Sequence, residues 1–280
     1  MERFPEKPEL PCRGDFYFSK RQTFWQLGKN FLKTGKLKKE IPLEFAPLAR
    51  NFLKEVWANN NYLFEDKKRV VYALKLAVEA HKGQVRRERD CNGNPLPYVV
   101  HPLEAAFMAL RRGQSASFLI WLLLHDTMED TWIKYENRNF VRELFRGTVT
   151  ETVVRKLSRY RREVDPKTGE VKFVKIEDPD YADQLRSSHS AVKAKHFDTL
   201  SSIKADGRRL DSCLDLPVTE AREVISNIRR FISQVVEFLI PIEKDFYCKL
   251  AEETELFIGK VETRIQIVEA FLAQNKAGYL

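Results

Sequence analysis

Cysteine is scarce in this chain of 280 residues, and its four cysteines are widely separated. They are Cys12, Cys91, Cys213 and Cys248, and no two of them form a C-x-x-C pair. This spacing argues against a zinc knuckle and against a disulfide framework. We therefore expect reduced thiols with structural roles and a cytoplasmic protein.

Long apolar runs are missing as well. The longest strongly apolar run, Phe118 to Leu124, is far shorter than the roughly 20 residues that a transmembrane helix needs. Acidic residues and prolines occupy the start of the chain, where a secretory signal would carry an apolar segment. These absences predict that the protein is neither membrane-spanning nor secreted.

Glycine and proline are also few, with 11 and 12 residues, which excludes a collagen-like or low-complexity chain. The 19 phenylalanines and 9 tyrosines supply enough apolar surface for a core, so a globular fold is expected. The length corresponds to one large domain, or to one domain with additions, at roughly 150 residues per domain.

Positive charge exceeds negative charge by eight, from 48 basic and 40 acidic residues. A basic excess favours polyanionic ligands such as nucleotides, nucleic acid or an anionic membrane. Many of the lysines lie between Lys29 and Lys39, where they are typical of a solvated helix face. We expect a small nucleotide as the ligand, and neither nucleic acid nor a membrane.

Apolar residues recur at helical spacing along most of the chain, which predicts a nearly all-α protein. Asp66 to Lys82 has a strong pattern, and Gly83 is its stop signal. The segment Phe118 to His125 is apolar on all sides, so it is predicted to be a buried helix. Further helices are predicted over Gln22–Lys39, Leu43–Trp57, Leu103–Leu110, Thr150–Arg161, Tyr181–Lys204, Val218–Leu239 and Glu243–Ala273.

Two segments interrupt this helical pattern. Gln84 to Pro97 is polar and is predicted to be a loop. In Val164 to Ile176, a turn signal that begins at Asp165-Pro166 precedes alternating apolar residues. This combination predicts a surface β-hairpin insertion.

Two of the five histidines lie where chemistry is expected. His101 comes directly before Pro102, which can begin a helix, and His125-Asp126 ends the predicted buried helix. Ionisable groups in such a position are costly unless they are paired or bind a metal. Imidazole and carboxylate together suit a divalent cation of the Mn, Fe or Zn type.

A second acidic pair follows this dipeptide. Glu129 and Asp130 come about one helical turn after His125-Asp126, so their carboxylates are expected on the same side as the metal. From there they could orient or deprotonate a metal-bound water.

Three strings occur in order around these residues. They are Ala80-His81-Lys82-Gly83-Gln84-Val85-Arg86-Arg87, Pro97-Tyr98-Val99-Val100-His101-Pro102-Leu103-Glu104-Ala105-Ala106 and Leu124-His125-Asp126-Thr127-Met128-Glu129-Asp130-Thr131. Between about residues 66 and 215 the chain thereby resembles the hydrolase domain of the RelA/SpoT alarmone enzymes, a branch of the HD-domain phosphohydrolases. Among short proteins it is most similar to the stand-alone (p)ppGpp hydrolases of the Mesh1 type.

This resemblance implies an all-α HD-domain helical bundle, here with a small β-hairpin insertion and extra N- and C-terminal helices. It also suggests three parts, which are an N-terminal arm with short helices over 1–65, a hydrolase core over 66–216 and C-terminal helices over 217–280. The C-terminal helices lack the pattern of a synthetase domain.

The resemblance also implies roles for individual residues. His101, His125 and Asp126 match ligands of one Mn²⁺, and Glu129 and Asp130 match the acidic pair that positions the nucleophilic water. Arg86 and Arg87 match a basic pair beside the guanine base, and Tyr98 matches an aromatic residue near the site. His81 matches no ligand and is expected to be a structural helix-end histidine.

The last metal ligand of the family lies in a string of the form L-A-D-R-L-H-N-M. The candidate here is the segment Ile203 to Leu214, where Asp206 follows Ala205 but the H-N pair is missing. We choose Asp206 as the ligand over Asp211, which lies roughly 140° away around a helix. Because the family's Asn contacts the nucleoside, its absence bears on the substrate more than on the metal.

These observations predict a metal-dependent nucleotide phosphohydrolase, of the (p)ppGpp 3′-pyrophosphohydrolase kind. Another HD-type nucleotide phosphatase, acting on NADPH, dNTPs or nucleoside monophosphates, is an alternative. A further alternative is a nucleotide-binding regulatory protein that has lost turnover, which the altered string at 206–212 would explain. The Glu129-Asp130 pair favours an enzyme, because a binding protein needs no water-activating carboxylates.

Overall fold

The computed structural model describes residues 46–89, 94–127, 150–166 and 171–277. In chain order, the elements are α1 (Ala46–Ala58), α2 (Phe64–Ala80), β1 (Val85–Arg89), β2 (Pro95–Pro97), α3 (Val100–Arg111), α4 (Ala116–Leu124), α5 (Thr150–Leu157), β3 (Tyr160–Val164), β4 (Val171–Lys175), α6 (Asp178–Arg186), α7 (His189–Ser212), α8 (Val218–Gln234), α9 (Ile240–Phe246) and α10 (Cys248–Ala277). A 3₁₀ turn at Cys213–Asp215 and a π-helical turn at Val235–Leu239 flank α8. The all-α class is confirmed. The predicted helix over Gln22–Lys39 lies outside the described residues.

The chain divides into two compact units. The first comprises Met1–Arg86 and Leu96–Arg155, and the second comprises Arg87–Pro95 and Lys156–Leu280. The second unit is therefore made of two separate stretches of sequence. The sequence-based boundaries after residues 65 and 216 remain predictions.

Helix α4 is the centre of the first unit, with α2 and α3 packed against it. Every α4 side chain from Phe118 to Leu124 is buried, as its uniformly apolar sequence predicts. The Ser115 hydroxyl caps the helix by accepting a hydrogen bond from the Phe118 amide at 3.3 Å. The helix therefore carries its polar C-terminal residues out of an apolar core.

The prediction that Gln84 to Pro97 is a polar loop is wrong in part, because β1 and β2 form a two-stranded sheet in this segment. The strand β1 reads Val-Arg-Arg-Glu-Arg, so it lacks the apolar alternation by which a strand is recognised. Within the second unit, Glu88 of this strand accepts a hydrogen bond from the Arg208 guanidinium of α7 at 2.8 Å. Glu88 is almost fully buried, so this ion pair fastens β1 to α7.

The predicted β-hairpin is confirmed. Strands β3 and β4 pair antiparallel, with Tyr160 opposite Lys175 and Val164 opposite Val171. The hairpin begins earlier than expected, and α5 ends at Leu157 rather than at Arg161.

The long helix predicted over Tyr181–Lys204 is two helices, α6 and α7. No Gly or Pro marks the break, but the Ser188 hydroxyl accepts a hydrogen bond from the Ala191 amide at 3.3 Å. A serine N-cap favours a helix start, and here it begins the 24-residue α7. Helix α7 contacts α6, α8, α9 and α10, so it is the central helix of the second unit.

The break predicted at Pro241 lies elsewhere. Pro241 is in the first turn of α9, where a missing amide proton costs little, and the chain turns at Tyr247 instead. A single π-helical turn, an uncommon element that usually occurs within α-helices, directly precedes α9. Among the described helices, none combines the length and apolarity needed to cross a bilayer.

Candidate metal centre

His101 lies in the first turn of α3, in the first unit. Its amide donates to the Tyr98 carbonyl at 3.1 Å, which links the helix start to the turn before it. The imidazole is buried, and its ring centroid lies 5.2 Å from that of His125. One ring nitrogen of His101 lies within 4.8 Å of one of His125, so both imidazoles can reach a common ion.

His125 follows the last residue of α4, and a hydrogen bond fixes its orientation. Its Nδ1 lies 2.7 Å from the Leu122 carbonyl oxygen. A carbonyl can only accept, so Nδ1 carries the proton and, in the neutral ring, Nε2 presents its lone pair. Metal-binding histidines are typically held by such a second bond to a backbone carbonyl.

Asp126 lies next to both histidines. Its Oδ1 is 3.2 Å from Nε2 of His125, and its Oδ2 is 3.7 Å from Nε2 of His101. A third contact comes from Tyr98, whose hydroxyl donates to Oδ2 at 3.0 Å. The carboxylate is thereby oriented by a phenol and faced by two imidazole nitrogens.

This donor set suits a divalent transition-metal ion. The lone pair of a neutral His125 Nε2 and the Asp126 carboxylate would repel each other, and a cation bound by both atoms would satisfy both. Two imidazoles and one carboxylate are borderline ligands of the kind that bind Mn, Fe and Zn. Thr127, whose buried hydroxyl donates to the Leu124 carbonyl at 2.6 Å, stabilises the end of α4 beside them.

The arginines predicted beside the base lie on strand β1. The Arg86 guanidinium carbon is 5.9 Å from the centroid of the Tyr98 ring, so one arginine lies beside the tyrosine that bonds to Asp126. The backbone of Arg87 is in the same strand, and its side chain is outside what the structure describes. Glu129 and Asp130 also lie outside the described residues, so their predicted role stays a prediction.

His81 ends α2, as expected for a structural helix-end histidine. Its ring stacks on Tyr98 at a centroid distance of 4.7 Å, and its Nδ1 lies 2.7 Å from Oε1 of Gln84. Burial lowers the pKa of His81, and the hydrogen bond to Gln84 offsets this only in part. Burial therefore disfavours the charged form of the ring.

Helix α7 of the second unit carries the predicted fourth ligand. Asp206 is buried and pairs with Arg209 at 2.8 Å, one turn further along the helix. Asp211, the competing candidate, has an exposed side chain that pairs with Arg264. Of the two candidate aspartates, Asp206 is therefore the buried one and Asp211 the exposed one.

The sequence reasoning missed another buried carboxylate on α7, that of Asp198. It pairs with Lys195 at 2.6 Å, and its charge raises the pKa of that lysine, although burial alone would lower it. The segment Phe197-Asp198-Thr199-Leu200 matches the Asp and the following Leu of the family string. Asp198 precedes Asp206 by eight residues, or roughly 80° around the helix.

Several known proteins resemble this chain in sequence. Probable GTP diphosphokinase RSH2 of Arabidopsis thaliana, a chloroplastic protein, is 32% identical over 118 residues, which are 40% of this chain and 16% of that protein. A guanosine-3′,5′-bis(diphosphate) 3′-pyrophosphohydrolase of Escherichia coli O157:H7 is 34% identical over 93 residues, or 33% of this chain and 12% of that protein. The matches therefore span less than a fifth of these curated relatives, and they confirm the resemblance to RelA/SpoT proteins.

A solved structure gives a weaker match. A metazoan orthologue of SpoT, described as hydrolysing ppGpp, is 19% identical to this chain with a TM-score of 0.37. The alignment covers 63% of this chain and 94% of the other. No family model matches the chain.

Proposed function

We propose that this chain is a metal-dependent phosphohydrolase that removes the 3′-pyrophosphate of (p)ppGpp. The observation that carries the proposal is the arrangement at the end of α4, where two histidine nitrogens face the two oxygens of one carboxylate. The E. coli relative, whose name is that of this activity, supports the choice of substrate.

The proposed metal is Mn²⁺, with His101, His125 and Asp126 as ligands from the first unit. Asp206 is proposed as the remaining ligand, and Asp198 is the alternative on the same helix. The support for Asp206 is its place after Ala205 in the segment that matches the family string, and the support for Asp198 is the Asp and following Leu that it shares with that string.

A bound divalent metal would lower the pKa of a coordinated water well below its ordinary value and so would supply the nucleophile at neutral pH. Glu129 and Asp130 are proposed to orient that water and to take its proton. Tyr98 holds Asp126 by its hydroxyl and thereby fixes the carboxylate for ligation. Arg86 and Arg87 are proposed to bind the nucleotide, since guanidinium groups pair well with phosphate and stack on bases.

A cytoplasmic location and a small-molecule nucleotide as the substrate complete the proposal. The support for the location is that Cys213 and Cys248 are free thiols in the structure. Cys213 is buried and burial raises the pKa of its thiol, which makes it an unreactive, structural cysteine.

The test is a release assay with the purified chain, Mn²⁺ and a panel of nucleotides. Pyrophosphate release from ppGpp and pppGpp that stops when the metal is chelated is the expected result. Phosphate release from NADPH, or turnover of dNTPs or nucleoside monophosphates alone, would instead assign one of the other HD-type activities.

A nucleotide-binding regulator is the second candidate function, and the altered string at 206–212 favours it. It predicts tight binding of ppGpp with no product after long incubation. Equilibrium binding to ppGpp should therefore be measured on the same sample as turnover. This distinguishes a protein that binds ppGpp without hydrolysing it from a sample that has lost its binding activity.

A further inference from the structure

His81 has no assigned role, stacks on Tyr98 at a centroid distance of 4.7 Å and is only 3% exposed. One of its nitrogens, Nδ1, bonds to the Gln84 side chain, while Nε2 is buried and has no hydrogen-bond partner. An unsatisfied buried polar atom costs about 1–3 kcal/mol. Other contacts of the imidazole must offset this cost, and one of them is the stack on Tyr98.

That stack belongs to a connected frame. The backbone amide of Gln84 donates a hydrogen bond to the backbone carbonyl of His81 at 3.0 Å. The backbone carbonyl of Gln84 accepts one from the backbone amide of Tyr98 at 3.0 Å. Gly83, with a φ of 80°, makes the tight turn between them. The turn after α2 therefore holds the Tyr98 backbone, while the imidazole covers one face of its ring.

The other end of Tyr98 reaches the proposed metal ligand. Its hydroxyl donates to Oδ2 of Asp126, the oxygen that also faces His101. A tilt of the phenol ring would move or break this bond, and a carboxylate without it could rotate. The His81 ring, which is stacked on the phenol, limits that tilt.

We propose that His81 is a positioning residue for the metal centre, which acts through Tyr98 to hold Asp126 in its ligating orientation. The inference rests on the metal site of the proposed function but not on the identity of the substrate. It assigns a physical role to the His-x-Gly-Gln part of the first string, which is to build the frame around Tyr98.

The test is the affinity of the metal-free chain for Mn²⁺, measured by the EPR signal of free Mn²⁺. Loss of an outer-shell partner typically weakens metal binding 10–100-fold, so about tenfold weaker binding is expected for His81→Ala and for Tyr98→Phe. His81→Phe keeps a flat ring against Tyr98, and it should restore affinity to within about threefold of wild type.

The double variant His81→Ala/Tyr98→Phe separates this role from general damage. Because both changes remove the same restraint on Asp126, it should bind within about twofold of Tyr98→Phe alone. Tyr62→Phe is the matched control, since the Tyr62 hydroxyl bonds to the Gln114 carbonyl in the same unit, and its affinity should be unchanged.

Two results would overturn the inference. One is a double variant whose losses multiply to about 100-fold, and the other is His81→Phe binding as weakly as His81→Ala. Wild-type protein that binds no Mn²⁺ would overturn the proposed metal site together with this inference. Wild-type protein that binds Mn²⁺ but hydrolyses no ppGpp would overturn only the proposed substrate, and the affinity test would still decide the role of His81.

Discussion

Each of the two units buries a histidine among acidic side chains, but the two clusters are built differently. In the first unit, Nδ1 of His125 bonds to a carbonyl, and Nε2 faces Asp126. In the second unit, His196 of α7 is fully buried and places Nδ1 2.9 Å from Glu243 and 3.1 Å from Thr254. Its Nε2 lies 3.3 Å from Glu253.

The difference lies in the groups that surround each ring. Both ring nitrogens of His196 lie within hydrogen-bond distance of side-chain oxygens, and these contacts join α7 to α9 and α10. At His125 a backbone carbonyl accepts the hydrogen bond from Nδ1, and Nε2 faces the carboxylate of the adjacent Asp126. The same residue types thus form a structural network in one unit and a candidate ion site in the other.

The largest expected effect tests this contrast directly. His125→Ala removes a ligand at the end of α4, and we expect loss of bound Mn²⁺ with the fold retained, since apolar packing supports the helix. Metal content and circular dichroism measure the two properties. The matched variant His196→Ala should retain the metal. Full metal occupancy in His125→Ala would end the distinction between the clusters.

The next prediction concerns Mn²⁺ binding by the carboxylates of α7. We expect Asp206→Asn to lower Mn²⁺ affinity by more than about 100-fold, because the loss of an outer-shell group already costs about 10–100-fold. Asp211→Asn, at an exposed position, is the control and should bind normally. Weaker Mn²⁺ binding in Asp198→Asn but not in Asp206→Asn would assign the ligand role to Asp198. Unchanged Mn²⁺ binding in both variants would mean that His101, His125 and Asp126 are the only protein ligands.

Glu129→Gln examines the chemistry rather than the metal. Loss of a general acid or base typically costs about 10²-fold or more, so kcat should fall by that amount while Mn²⁺ stays bound. Steady-state pyrophosphate release and metal analysis of the same sample provide the measurement. An unchanged kcat would remove Glu129 from the mechanism.

His196→Ala tests how much the network around His196 contributes to stability. It removes a hydrogen-bond partner of the fully buried Glu243, and leaving a buried polar group unpaired costs about 1–3 kcal/mol. Urea unfolding should show this decrease in the free energy of unfolding. His189→Ala, a change at an exposed histidine that contacts Phe246, is the control and should cost less than about 1 kcal/mol.

The smallest effect is expected at the arginines. Arg86→Ala and Arg87→Ala should each raise KM about tenfold, the equivalent of losing one hydrogen bond to a charged group, without changing metal content. Arg111→Ala removes a guanidinium that pairs with Glu55 in the same unit, so it controls for loss of charge. An unchanged KM in both test variants would make these arginines ordinary strand residues.

The sequence alone was sufficient for the parts of the fold that depend on local pattern. Helix α4 could be predicted with its His-Asp end because nine consecutive residues are uniformly nonpolar apart from one serine. The hairpin could be predicted from its turn and alternation. Strand β1 could not, because its charged residues pair through the backbone and through Glu88, whose partner Arg208 is 120 residues away.

The same limit applies to the site. His101, His125 and Asp126 lie in strings with fixed local spacing, whereas Asp198 lies in a segment that matches the family string at few positions. The network around His196 could not be predicted either, since Glu243 and Thr254 lie 47 and 58 residues further along the chain. Such contacts are set by the packing of α7 against later helices.

The ion pair between Glu88 and Arg208 also has a consequence for how the protein can be divided. The second unit includes the short stretch Arg87–Pro95, which is synthesised long before the rest of it. A fragment that starts at Lys156 therefore lacks one of its own strands and leaves Arg208 without the carboxylate it pairs with. During synthesis, Glu88 of β1 can pair with Arg208 only after the ribosome has translated α7, so this unit is completed late.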